Sequence, residues 1–143
     1  MNDYNKKAIT DVYKNANIAL TSLKAIIPTV KDLELNKELK DEFNGYDKEI
    51  DEIKAFMEKS KLPVKKVNPF KKAMLSLSVK IKTAIDNSKN KAAELMVKGT
   101  VMGITELYAM KNESEKLSEG VKTRVEKLLS LEESFESRLK KYL

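Results

Sequence analysis

From Asn5 to Val30 the apolar residues Ile9, Val12, Ala16, Ala19, Leu23, Ile26 and Val30 recur at alternating spacings of three and four. That rhythm is one face of an α-helix. Pro28 stands near its end, where a missing N–H and a fixed φ distort or finish the last turn. A second helix is predicted over about 33–60. Asp32 is a good N-cap, and Leu39, Phe43, Tyr46, Ile50, Ile53 and Met57 form the stripe. Gly45 inside it costs on the order of 1 kcal/mol relative to Ala. A close neighbouring helix or a local kink would explain it. Residues 61–69 read as a linker. Asn68 then Pro69 open a third helix over about 69–85, with Phe70, Met74, Leu77 and Ile81 on one side. Asp86-Asn87-Ser88 breaks the pattern and caps a fourth helix over about 89–111. Residues 112–118 read as a loop, with Ser118 capping a fifth helix over about 118–142. No repeat or low-complexity tract interrupts this order.

The first two helices share a very short turn, as do the last two, so each pair should be antiparallel. The shorter third helix can carry the chain back along the bundle, leaving the second and fourth helices parallel. A simple up-and-down five-helix bundle is the alternative. The expectation is one all-α domain over 1–143: a ferritin-like antiparallel four-helix bundle with an additional crossover helix.

Composition narrows the chemistry. With 143 residues, one domain with a continuous core is expected. The chain has no Cys and no His. Disulfides, thiolate metal sites and Cys nucleophiles are thereby excluded, along with the commonest general base and transition-metal ligand. No apolar run approaches the roughly 18 residues of a membrane span, and the first twenty residues lack a signal-peptide core. A soluble, cytoplasmic protein is the default expectation.

Two stretches, DVYKNANIALTSLKAIIPTVKDLELNKELKDEF and AAELMVKGTVMGITELYAM, together with the ending VEKLLSLEESFESRLKKYL, resemble an uncharacterised ferritin-like family of bacteria, a domain of unknown function. The likeness spans nearly the whole chain. It implies a four-helix ferritin-like bundle plus a crossover helix, and it implies no activity.

Ferritin-like di-iron sites take one inward Glu from each of two helices and a Glu-x-x-His pair from each of the other two. No such pair exists in a chain without His. Glu132 interrupts the stripe Val121, Val125, Leu128, Phe135, Leu139, Tyr142, and Phe135 stands where the family pattern would place a His. Glu106 shares a line with Ala92, Met96, Gly99, Gly103 and Met110. Glu42 and Glu49 flank the second stripe. These four are the candidate metal ligands, but no metal and no cofactor is expected. Glu132 and Glu106 are expected at the bundle edge, in solvent or paired with Lys98 or Lys127. Gly99 and Gly103 form a G-x-x-x-G that permits close helix approach. Helix one at Ala16 and Ala19 is the first candidate for its partner, and a dimer interface the second. The five methionines beyond Met1 (57, 74, 96, 102, 110) read as core gap-fillers.

Charge is uneven: residues 54–98 carry net +9 and residues 32–53 net −6. The densest basic cluster, Lys61, Lys65, Lys66, Lys71 and Lys72, is a candidate anion-binding surface. It lacks Arg and has only Phe70 for stacking, so nucleic acid is disfavoured and a solvated face complementing the acidic second helix is preferred. No catalytic constellation is present, so the chain is read as a non-enzyme. The leading expectation is a non-catalytic bundle of unknown role acting through protein–protein contacts, without a di-iron centre, with a homo-oligomer or an unidentified protein as partner. The alternatives are a degenerate carboxylate metal binder using Glu132 and Glu106, and a binder of anionic surfaces through Lys61–Lys72.

Overall fold

In a computed structural model, residues 1–64 and 89–143 are described. They contain four long helices: α1 (Asp3–Ile26), α2 (Leu33–Lys59), α3 (Lys89–Lys111) and α4 (Glu119–Leu139). Among the described residues there is no strand, and no helix is long and apolar enough to cross a membrane. The expected helix over 69–85, its caps, and the candidates Lys65, Lys66, Lys71, Lys72 and Met74 lie outside the described residues. Lys61 is described, just beyond α2.

The helix ends follow local chemistry. Asn2 caps α1, its side chain accepting from Asn5 N at 2.8 Å. The α-helix stops at Ile26, and Pro28 shapes one 3-10 turn over Ile27–Thr29. Asp32 caps α2 by accepting from Leu35 N at 2.9 Å. The Asn36 side chain donates to the carbonyls of Ile27 and Val30, both at 3.0 Å, and so closes the corner between α1 and α2. At the far end of α2, Lys61 takes a positive φ of 59°. Its N–H bonds Glu58 O and the Leu62 N–H bonds Met57 O, which is a Schellman motif with Lys at the left-handed position. Ser118 has the extended backbone of an N-cap, but its side chain makes no capping bond. Its N–H instead donates to Asn5 Oδ1 at 2.8 Å, tying the start of α4 to the start of α1.

These ties fix helix directions. The starts of α1 and α4 lie together, so those two run parallel. Lys141 meets Glu34, Arg138 meets Glu38 and Arg124 meets Glu52, so α2 runs antiparallel to α4. Lys89, the first residue of α3, lies 3.8 Å from Asp32, the cap of α2. Helices α2 and α3 therefore run parallel, and the chain re-enters the bundle at the end where α2 began. A long crossover and a simple up-and-down five-helix bundle both leave these two helices parallel.

The core matches the first stripe closely. Ile9, Val12, Ala16, Leu23, Ile26 and Val30 are buried, and Ala19 is half-buried. On α2, Leu39, Tyr46, Ile50, Ile53 and Met57 are buried. Gly45 is explained by a close neighbour, because a Cβ there would stand 3.1 Å from a Leu131 methyl on α4. On α3 the expected line is rotated. Ala92, Ala93, Met96, Thr100 and Leu107 are buried, whereas Gly99 and Glu106 are exposed. This helix is apolar nearly all round between Lys98 and Lys111, so its pattern could not say which side faces inward. Met102 is accordingly 75% exposed rather than a core filler.

Candidate functional site

The four helices each place one group at the middle of the bundle. Glu132 on α4 is 1% exposed, which overturns its expected position at the edge. It is one turn from Leu128 and Leu129 and one turn from Phe135, so its Cβ points with theirs into the core. The Tyr46 hydroxyl of α2 donates to Glu132 Oε2 at 2.8 Å. Gly103 of α3 lies flat against the same carboxyl. A methyl on Gly103 would stand 2.7 Å from Glu132 Oε1, 3.0 Å from Oε2 and 3.1 Å from Asn15 Oδ1. Asn15 of α1 donates from Nδ2 to Gly103 O at 3.1 Å. Among the described residues, Glu132 Oε1 has no hydrogen-bond partner.

Electrostatics follow from that burial. Removal from water pushes the Glu132 carboxyl up to about 8, and the like charges of Glu106 and Glu42 push the same way, against the Tyr46 hydrogen bond. Tyr46 is held well above its ordinary range by its own burial and by the charge of Glu132 and Glu42. Burial thus favours the protonated acid at Glu132 and the neutral phenol at Tyr46.

The remaining candidate ligands are committed elsewhere. Glu42 is 2% exposed and faces the guanidinium of Arg138, which also bonds Glu38 at 3.0 Å. Burial pushes Glu42 up to about 7 against the pull of Arg138. Glu49 lies 3.5 Å from Arg124, whose stronger bond goes to Glu52 at 2.8 Å; burial raises Glu49 against Arg124. Glu106 is exposed beside α1, where partial burial and Asp11 raise it while Lys7, Asn15 and Lys14 lower it. Among the described residues, no group of three or more acids is arranged to hold a metal ion.

The glycine pair also separates. A Cβ on Gly99 would meet nothing within 4 Å, so that turn is open surface, not a contact with Ala16 and Ala19. Gly103 makes room for a carboxyl rather than for another backbone. The acids of α2 are met across the interface by α4. The chain contains only two arginines, Arg124 and Arg138, and both serve there. Those pairs, and Asn15, were not singled out by the apolar pattern. Asn15 stands one residue before Ala16 of the α1 stripe, and a polar amide there carries no distinctive signal. The spacing of Arg124 and Arg138, two heptads apart opposite acids on α2, was the available clue.

Comparison with protein-family models, with curated proteins and with solved structures finds no match to the chain.

Proposed function

We propose that this chain is a non-catalytic helical bundle of ferritin-like topology, without a di-iron centre, that acts through protein–protein contacts. The parallel run of α2 and α3 is compatible with a long crossover between them, as it is with a simple up-and-down five-helix bundle. The observation that carries the functional reading is the fate of the four candidate carboxylates. A pair of hard cations needs several carboxylate oxygens converging on one space. Here Arg138 bonds Glu42, Arg124 stands beside Glu49 while bonding Glu52, and Glu106 faces out. Glu132 alone remains, in surroundings that favour its protonated form. A guanidinium beside each of two acids supplies positive charge from the protein itself.

The surface suits contacts. Residues 99–110 carry one charge, Glu106, in a chain whose charged fraction is 35%. Val101, Met102 and Tyr108 stand exposed there. The test is elemental analysis of purified protein after incubation with iron and manganese, read beside its mass in solution. Substoichiometric metal, with self-association or capture of a partner on the α3 face, is the expected outcome. Stoichiometric metal that is lost in Glu132→Leu would overturn the reading in favour of a carboxylate metal site.

A further inference from the structure

We propose that Glu132 is a proton-held latch: with its proton it lets the four helices close around it, and without the proton the bundle opens along the seam between α1 and α3. The proposal stands on geometry. The carboxyl is enclosed by one group from every other helix, namely Asn15, Tyr46 and Gly103. Only one of its oxygens is bonded.

An ionised carboxylate in that position needs further donors or water. The enclosure supplies few. Tyr46 already gives its one O–H, and Asn15 Nδ2 is engaged by Gly103 O. The charged groups acting on Glu132 are Glu42 from α2 and Glu106 from α3, and both repel. Arg138 and Arg124 on α4 are held by Glu38, Glu42, Glu49 and Glu52. On α1, Asp11, Lys7 and Lys14 act on Glu106 at the surface. Water must therefore reach Glu132 once it ionises.

The fold marks where. The seam between α2 and α4 is zipped by both arginines, with Lys141 to Glu34 extending it. The α1–α3 seam at mid-bundle is held by Asn15 to Gly103, next to the open surface at Gly99. Gly103 is half-buried and Glu106, one turn on, is already exposed. Opening α1 from α3, with the α2–α4 seam as the spine, is the short route by which the carboxylate gains solvent.

The sign is set by linkage. The closed form holds the proton up to about 8, whereas an opened carboxyl releases it near its ordinary 4.5. Between those values opening becomes up to tenfold more favourable per pH unit, and above them it levels off. The experiment is native-state hydrogen exchange read by mass spectrometry between pH 5 and 9, corrected for the chemical exchange rate. In the wild-type protein, segments at the middle of α1 and α3 should lose protection with pH while those around Arg124 and Arg138 hold. In Glu132→Gln, which keeps an acceptor for Tyr46 but cannot ionise, the pH dependence in α1 and α3 should vanish. An unchanged slope in that variant would overturn the latch, as would loss of protection in all four helices alike. Should the variant fail to fold, a carbon-13 titration of the Glu132 carboxyl in the wild-type protein decides. Ionisation above pH 7 supports the proposal, and ionisation near 4.5 ends it.

Discussion

Gly99 and Gly103 stand one turn apart on α3, and replacing each by Ala should move stability in opposite directions. Both substitutions gain intrinsic helix propensity, about 1 kcal/mol relative to Gly. At Gly99 nothing lies within 4 Å of the new methyl, so the gain is realised. Gly99→Ala should stabilise by about 0.5–1 kcal/mol, or roughly 2–4 °C in Tm for a domain of this size. At Gly103 the methyl would stand 2.7 Å and 3.0 Å from the Glu132 oxygens and 3.1 Å from Asn15 Oδ1, so at least one side chain must retreat. These are side-chain ends, which normally yield cheaply. Here they are enclosed: Oε2 is held by Tyr46 and the Asn15 amide by Gly103 O. Crowding in a packed interior costs about 1–3 kcal/mol, and losing a buried hydrogen bond costs a similar amount. After subtracting the propensity gain, Gly103→Ala should destabilise by about 1–5 kcal/mol. The assay is urea unfolding followed by far-ultraviolet circular dichroism, with the m-value checked for constancy. A double-mutant cycle isolates the cause: in a Glu132→Ala background the Gly103→Ala penalty should largely disappear. Equal shifts for the two glycines, or a penalty that survives truncation of Glu132, would refute the packing argument.

Two further outcomes follow from the same carboxyls. Glu42 and Glu132 are both raised on folding, to about 7 and about 8, so the folded chain keeps protons that the unfolded chain loses above about 4.5. Their contribution is therefore most favourable at low pH and is lost as pH rises from about 4.5 to about 8, by about 8 kcal/mol if both shifts act in full. Urea midpoints measured across that window should fall, with exposed acid pairs such as Lys141 to Glu34 opposing the trend below pH 4; a flat profile would contradict the burial of both groups. Arg138→Met should destabilise at pH 8 by about 1–3 kcal/mol, because it leaves Glu42 buried without its cation, and less at pH 5, where Glu42 takes a proton instead. Adding Glu42→Gln should restore most of the loss, and a loss independent of pH would point to packing alone.

The sequence determined the helices because their signal is local. Ile9 to Val30 and Leu39 to Met57 keep strict three-and-four spacing, and Pro28 and Asp32 act on their own turns. The absence of His and Cys equally fixed what chemistry the chain could not do. Only the tertiary structure decided the rest. The inward side of α3 was illegible because a helix apolar nearly all round has no preferred face until partners close on it, and so Thr100 is buried while Gly99, beside it, is exposed. The direction of α3 depended on where Lys89 meets Asp32, a contact between residues far apart in the chain. The setting of Glu132 was decided the same way. Periodicity placed it on the core stripe, but a solitary acid there is normally drawn out to water. It stays inside because Tyr46, Asn15 and the missing side chain of Gly103 come from three other helices, and no local pattern can announce that convergence.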